Sequence, residues 1–126
     1  MNRIRFGAAL LAVLLIAGIL VARSMSRRTE EIAGQLDTAA RQALEGELPA
    51  AVQTARQAEK NWQARWAIHA AIADHDPMEQ VDAGFAQLQI YGESGEGVTF
   101  AALCAGIARQ IRAIGEAGSA SWRNIL

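Results

Sequence analysis

The stretch FGAALLAVLLIAGILVA, residues Phe6 to Ala22, decides how the rest of the sequence is interpreted. It carries no charged or strongly polar side chain. In a bilayer, a helix is the only single segment that satisfies all of its own backbone hydrogen bonds. At 1.5 Å per residue the stretch spans about 26 Å, enough for a thin hydrocarbon core when flanking arginines extend to the headgroups. The sequence therefore predicts contact with the lipid bilayer through Phe6 to Ala22.

A cleaved signal peptide is the competing interpretation of this stretch. The tripeptides Ala22-Arg23-Ser24 and Ser24-Met25-Ser26 place small residues at the two positions that a signal peptidase reads. Against cleavage, the apolar stretch is longer than a usual signal core, and Arg23 lies within the first candidate site. A retained anchor is the favoured interpretation, and a buried soluble helix is the third.

The charges around the anchor leave its orientation nearly balanced. Two arginines precede it and three follow it (Arg3, Arg5, Arg23, Arg27, Arg28), so the positive-inside count is almost even. A very short N-terminal tail usually stays in the cytoplasm. We therefore expect a single-pass protein of the cytoplasmic membrane, with the following domain outside it.

Residues 1–28 form the predicted anchor with its basic flanks, and residues 29–126 form one acidic helical domain. From Thr29 onward seven basic side chains face thirteen acidic ones, a net charge of −6. Nucleic-acid binding needs a basic face, so this charge argues against it. The single cysteine, Cys104, excludes an intramolecular disulfide, and we interpret it as a small buried apolar residue.

The apolar periodicity is helical along the whole domain. It predicts helices over Ser26 to Glu45, Pro49 to His75, Pro77 to Tyr91 and Val98 to Ala117. The first can run on from the anchor, since no strong helix breaker lies between Ala22 and Thr29. The predicted fold is all-α: an N-terminal transmembrane helix followed by a small up-down bundle of about four helices arranged as helical hairpins.

Two local signals complete this outline. Asp76 fits an N-cap, Pro77 the first helical position, and Glu79 a capping box, so we interpret these residues as structural caps. The segment Gly118 to Ser121 is predicted as a loop, after which the apolar tail Trp122 to Leu126 folds back on the bundle.

Trp62, Trp66 and His75 are the candidate contacts for a ligand or partner. The two tryptophans lie four residues apart on one helical face, and His75 is at the following turn. A metal site using His69 and His75 is disfavoured because their six-residue separation points them to different helix faces. A core role for both tryptophans and a helix-end role for His75 are the simpler interpretation.

The sequence holds no catalytic constellation. It lacks a nucleophile elbow, a phosphate-binding glycine loop, and a serine or cysteine placed beside a histidine in a recognisable arrangement. We therefore expect a protein that is not an enzyme and has no cofactor and no metal site.

The order of features resembles a known family, the bacterial proteins that share the domain of unknown function 4363 (DUF4363). The similarity rests on a short anchor, a tryptophan pair, a histidine between helices, an aromatic end to the next helix, and the chain end (Trp62, Trp66; Ala73-Asp74-His75; Leu88-Gln89-Ile90-Tyr91; Asn124-Ile125-Leu126). The resemblance implies a small anchored helical protein of spore-forming bacteria, with a membrane partner and no established activity. Asp76-Pro77 stands where members more often carry glutamates, and the chain is richer in alanine and arginine.

These observations together predict an interaction protein. The expected function is to bind or position another membrane or envelope protein, as an accessory partner. The alternative is a ligand- or metal-binding sensor domain that uses the Trp62/Trp66/His75 region. The small-residue pairs Ala8/Ala12 and Gly18/Ala22 in the anchor are compatible with a homodimer, although such pairs are frequent by chance in alanine-rich spans.

Overall fold

The structure, a computed structural model, describes residues 2–65 and 75–125, with side chains except those of Met25, His75 and residues 118–125. Within these ranges it contains four helices and no strand: α1 (Asn2–Leu44), α2 (Leu48–Ala64), α3 (His75–Glu93) and α4 (Gly97–Ile125). The predicted all-α fold is therefore confirmed.

Helix α1 is a single uninterrupted rod. Its 43 residues correspond to a length of about 64 Å. It passes without a break from the apolar stretch into the domain, as the absence of a glycine or proline between Ala22 and Thr29 allows.

The two ends of α1 have opposite environments. The most apolar 18-residue stretch of α1 has a mean hydropathy of 2.5, and only 6% of it is buried. Eleven large apolar side chains between Ile4 and Val21 are exposed, whereas Ile32, Leu36 and Ala39 are buried in the domain. The other helix of sufficient length and apolarity, the Gly97–Ala117 part of α4, has a mean hydropathy of 1.2 and is 39% buried. That part of α4 is a core helix by its contacts, and the N-terminal part of α1 has the composition of a membrane anchor or a signal sequence.

Glycines end α1 and α3 in the same way. Gly46 and Gly95 have φ of +80° and +77°, a conformation that a side chain disfavours. After α1 the amide of Glu47 donates to the Gln42 carbonyl (2.8 Å), and after α3 the amide of Glu96 donates to the Tyr91 carbonyl (3.2 Å). These six-to-one bonds are Schellman motifs. They reverse the chain within three residues and produce two antiparallel hairpins, α1–α2 and α3–α4.

The two hairpins meet through α1 and α4, which have the most extensive contact in the molecule. Helix α2 lies on the other flank of α1, and α3 lies on the flank of α4. Alanines make up much of the core, and a few large side chains fill the spaces between them. The fully buried large residues include Trp62, Phe100, Ile32, Leu36, Met78, Ile111 and Val81.

A glycine permits the closest approach of α1 and α4. A Cβ atom built on Gly115 would overlap the Thr29 hydroxyl and lie 3.0 Å from its Cβ. Thr29 is buried, and its hydroxyl donates to the Ser26 carbonyl at 3.0 Å. The absence of a side chain at position 115 therefore sets the distance between the helices here.

Arg112 fastens the exposed edge of the same interface. Its guanidinium forms a two-point pair with Glu30 (Nε to Oε2 3.0 Å, Nη2 to Oε1 2.9 Å) and also donates to Asp37 Oδ2 at 2.7 Å. The two acids lie seven residues apart on α1, so one arginine of α4 spans two turns of that helix. The hydrogen bond from Arg112 lowers the pKa of Glu30, and the two carboxylates raise the pKa of Arg112.

Two predicted helix boundaries are wrong. Helix α2 ends at Ala64, not at His75, with Arg65 as its C-cap and residues 66–74 outside the described ranges. No glycine or proline marks this end, so the local sequence carries no signal for it. Helix α4 includes Gly118 to Ser121 and continues to Ile125. The predicted loop is therefore absent, and the tail does not turn back at these residues. A glycine within a helix costs only about 1 kcal/mol relative to alanine, and the neighbouring alanines favour the helix.

Helix α3 begins at His75, one residue before the predicted N-cap Asp76. Asp76 and Pro77 therefore lie in its first turn, where proline is tolerated. The capping roles of Asp76 and Glu79 stay predictions, because the residues preceding His75 are not described.

Replacing Gly115 with alanine tests the close approach. The new Cβ must displace Thr29 or separate the helices, so we expect a loss of about 1–3 kcal/mol in unfolding free energy, despite the higher helix propensity of alanine. Chemical denaturation of the full chain in detergent micelles, followed by circular dichroism, measures it. Gly106, exposed on the same helix with no atom within 4 Å of a built Cβ, is the matched control: Gly106→Ala should be neutral or stabilising. Equal effects at both positions would contradict the packing described.

Replacing Arg112 with glutamine tests the ion pairs and their pH dependence. Since the pKa of Glu30 is lowered below its ordinary 4.5, the pair stabilises the fold above that pH, and its contribution disappears as pH falls through the lowered value. We expect Arg112→Gln to lose about 0.5–1 kcal/mol at pH 7 and to approach the stability of the wild type once the pH has fallen below the lowered pKa of Glu30. Unfolding curves at several pH values give the comparison. Arg109→Gln, at an exposed position of α4 with no ion pair among the described residues, should show no such pH-dependent difference.

Candidate functional site: the groove between α2 and α3

Trp62 is a core residue that joins α2 to α3. Its side chain has no exposed area, and its indole Nε1 donates to Asp82 Oδ1 at 3.0 Å. A buried indole N–H needs such an acceptor, and Asp82 supplies it from the exposed side of α3. Trp62 is therefore placed to fix the two helices and does not present its ring to a ligand from solvent.

The other two candidate contacts cannot be assigned a role by the structure. Trp66, like His69, falls in residues 66–74, outside the described ranges, and the His75 side chain is likewise not described. Among the described residues, no three histidine, cysteine or acidic side chains are grouped so as to hold a metal ion.

A groove lies between α2 and α3, on the side of the bundle away from the α1–α4 ion pairs. Its volume is about 440 Å³, which is in the usual range of ligand pockets. Helix α2 supplies one wall, α3 the other, and the first turn of α4 part of the floor. The lining residues are Val52, Ala55, Arg56, Glu59, Lys60 and Gln63 of α2, Phe85, Leu88, Gln89, Gly92 and Glu93 of α3, and Phe100 of α4.

The groove has an apolar floor and a polar rim. The floor is made of aromatic and aliphatic side chains that also belong to the core: Phe85, Leu88 and Phe100. Arg56 and Lys60, four residues apart, bring positive charge to the α2 rim, and Glu59 lies between them; Glu93 brings negative charge to the α3 rim. An apolar trough with flanking charges of both signs is the form that receives an amphipathic helix.

Gly92 closes the groove at one end. A Cβ there would lie 3.0 Å from Val52 Cγ2 and 3.3 Å from Phe100 Cε2. The helices α2 and α3 therefore touch at Gly92. The Trp62–Asp82 bond joins the same helices again further along. Because α2 and α3 have few contacts with each other between these two points, the groove remains open there.

Cys104 lies in the core, apart from the groove. It is fully buried, and burial together with the nearby charge of Asp37 raises the pKa of its thiol to about 12. At neutral pH the group is a thiol, and the thiolate needed for nucleophilic attack is absent. This agrees with the interpretation of Cys104 as a small apolar residue.

Sequence analysis did not identify the groove. It placed the functional candidates on the tryptophan stripe of α2, whereas Arg56, Lys60, Gln89 and Glu93 lie beside the core stripes. The available signal was the matching four-residue spacing of Arg56/Lys60 and Gln89/Glu93 on two helices expected to pack together.

Substitutions of Asp82 test the joint between α2 and α3. Asp82→Ala leaves a buried indole N–H without this acceptor, so we expect the unfolding free energy to fall by about 1–3 kcal/mol. Asp82→Asn keeps an acceptor oxygen and should retain most of the stability. Denaturation of both variants in detergent micelles, followed by circular dichroism, provides the comparison; equal stability of Asp82→Ala and the wild type would show that the bond contributes little.

Comparison with known proteins gives a family and no activity. The sequence profile described as Domain of unknown function (DUF4363) matches residues 19–125, a range that takes in the end of the apolar stretch and all four described helices. No curated protein and no solved structure matches the chain. The resemblance noted from the tryptophan pair, His75 and the chain end is confirmed: the chain belongs to the DUF4363 family, whose shared domain is of unknown function.

Proposed function

We propose that the protein is a membrane-anchored, non-enzymatic accessory protein whose helical bundle binds another membrane or envelope protein. The apolar half of α1 holds the chain in the cytoplasmic membrane as a single span, and the acidic bundle lies outside the cytoplasm. The observation that carries the proposal is the solvent exposure of eleven large apolar side chains between Ile4 and Val21. Such a continuous apolar surface calls for an apolar environment.

The continuity of α1 supports a retained anchor over a cleaved signal. Both candidate cleavage sites, between Ala22 and Ser26, are helical and lie within one rod. Thr29, three residues further on, is already packed against α4 at Gly115. The family match also starts at residue 19, inside the apolar stretch, so cleavage at either site would remove part of the matched domain.

The lining of the groove supports binding in preference to catalysis. Its described side chains include no serine, cysteine or histidine that could act as a nucleophile. Its floor is apolar, and its two rims carry Arg56, Glu59 and Lys60 on one side and Glu93 on the other. The occupant that fits best is an amphipathic helix of the partner, with an apolar face on Phe85, Leu88 and Phe100 and charges on its flanks.

A protease experiment tests the anchor and its orientation. Cells producing a C-terminally tagged chain are converted to spheroplasts, treated with protease, and fractionated. We expect a full-length, membrane-bound species whose tag is digested from outside. A shortened soluble product would mean a cleaved signal, and a protected tag would reverse the orientation; either result contradicts this part of the proposal.

Photocrosslinking tests the groove as the partner site. A benzophenone amino acid replaces Lys60, which lines the groove, or Gln53, which is exposed on α2 outside it. Ultraviolet irradiation of intact cells should give one discrete protein adduct from position 60 and none from position 53. Adduct formation at both positions, or at neither, would contradict a helix-binding groove. Competition of the adduct by a small molecule would instead favour the ligand-binding sensor.

A further inference from the structure

The basal end of the bundle, where α2 returns toward the apolar half of α1, holds an unusual arginine. Arg65 caps α2, and its side chain is half-buried. Its Nη1 is buried and has no hydrogen-bond partner among the described residues. A guanidinium nitrogen left in this way is costly, since the lost hydration of a charged donor is not replaced.

A second arginine approaches Arg65 from α1. The register of α1 and α2 is fixed by two side-chain bonds, Asn61 Nδ2 to Gln35 Oε1 (3.0 Å) and Thr54 Oγ1 to Gln42 Oε1 (2.7 Å). One helical turn further toward the base, this antiparallel register brings Arg65 opposite Glu31, and Arg28 follows on the next turn. Burial and the charge of Arg28 both lower the pKa of Arg65.

The acid at this end does not pair with Arg65. The negative charge of Glu31 raises the pKa of Arg65, but by less than the positive charge of Arg28 lowers it. Yet the ion pairs found among the described residues are those of Arg112 with Glu30 and Asp37, and Glu31 makes none. Two arginines thus lie near each other here, and the buried Nη1 of Arg65 has no acceptor among the described residues. Two guanidinium groups with a free N–H donor are suited to bind a phosphate oxyanion.

The two arginines lie just beyond the headgroup layer of a membrane that holds the anchor. Arg28 lies six residues beyond Ala22, the end of the apolar stretch, which is about 9 Å along a helix. The headgroup layer begins at the edge of the hydrocarbon core and is about 5–8 Å thick on each side. With Phe6 to Ala22 in the bilayer, the backbone of Arg28 lies at the outer edge of this layer, and that of Arg65, opposite Glu31, lies about 14 Å beyond Ala22. Both guanidinium groups reach the phosphates only by extending toward the lipid, as long arginine side chains do.

We propose that Arg28 and Arg65 form a binding site for a phosphate oxyanion, carried by an anionic phospholipid headgroup at the base of the bundle. The phosphate accepts from the unused Arg65 donor and is held from the other side by Arg28. The lipid source rests on the proposed anchoring; the phosphate chemistry does not. The site joins the bundle to the membrane surface by a contact separate from the anchor.

Native mass spectrometry of the full chain in a maltoside detergent tests the site. Phosphatidylglycerol, diacylglycerol of the same acyl chains, and inorganic phosphate are titrated separately. We expect one phosphatidylglycerol bound per chain at least about tenfold more tightly than diacylglycerol, and about tenfold weaker binding by Arg65→Gln, or 1.4 kcal/mol. Inorganic phosphate that binds the wild type, competes with the lipid and is lost in the variant identifies a free-anion site; lipid binding without such competition identifies the headgroup.

Arg41→Gln is the matched control, since it removes an exposed arginine from the last turn of α1, thirteen residues from Arg28 and outside the groove; it should bind the lipid as the wild type does. Circular dichroism checks the fold of Arg65→Gln, and Arg65→Lys, which keeps the charge without the planar fork, replaces it if the fold is lost. Unchanged lipid and phosphate affinity in the folded variant would overturn the proposal. Flotation with lipid vesicles distinguishes the membrane anchor from the phosphate site. A wild-type protein that does not float contradicts the anchor. An Arg65→Gln variant that floats and binds the lipid with normal affinity contradicts the site alone.

Discussion

The bundle depends on the short distance between α1 and α4. A core made largely of alanine buries little apolar area per residue, so the helices gain enough contact only when their backbones come close. Gly115 makes that possible at Thr29, and buried alanines such as Ala33 and Ala108 continue the close contact along the interface. Trp62 and Phe100 then fill the spaces on either side, while Arg112 holds the exposed edge with two carboxylates of α1.

Local rules were sufficient for the elements whose signals are local. Gly46 and Gly95 end helices because only glycine adopts their backbone conformation cheaply, and the apolar repeat through Phe85 and Leu88 is indeed buried. The unbroken course of α1 followed from the lack of a breaker. The predicted loop at Gly118 to Ser121 was wrong for the opposite reason: small polar residues permit a loop but do not require one, and the helix continues through them.

The candidate site was less accessible to sequence analysis, because it depends on contacts between distant parts of the chain. Trp62 was correctly placed on an apolar face, but its bond to Asp82 connects residues twenty positions apart. The groove likewise exists because α2 and α3 meet at Gly92 and at the Trp62–Asp82 bond and have few contacts in between. The Nη1 of Arg65, which lacks a hydrogen-bond partner among the described residues, has no sequence signal, since its surroundings depend on the way α2 ends beside α1.

The unbroken α1 has a mechanical consequence. A helix without a hinge transmits rotation, so the half that carries the apolar surface and the half that forms the core must turn as one body. Over its length of about 64 Å, a tilt of 10° at one end moves the other by about 11 Å. The bundle would then act as one arm of a lever whose other arm is the apolar segment. With that segment in a bilayer, as we propose, a change in bilayer thickness or a sideways pull on the segment would be converted into displacement of the α2–α3 groove.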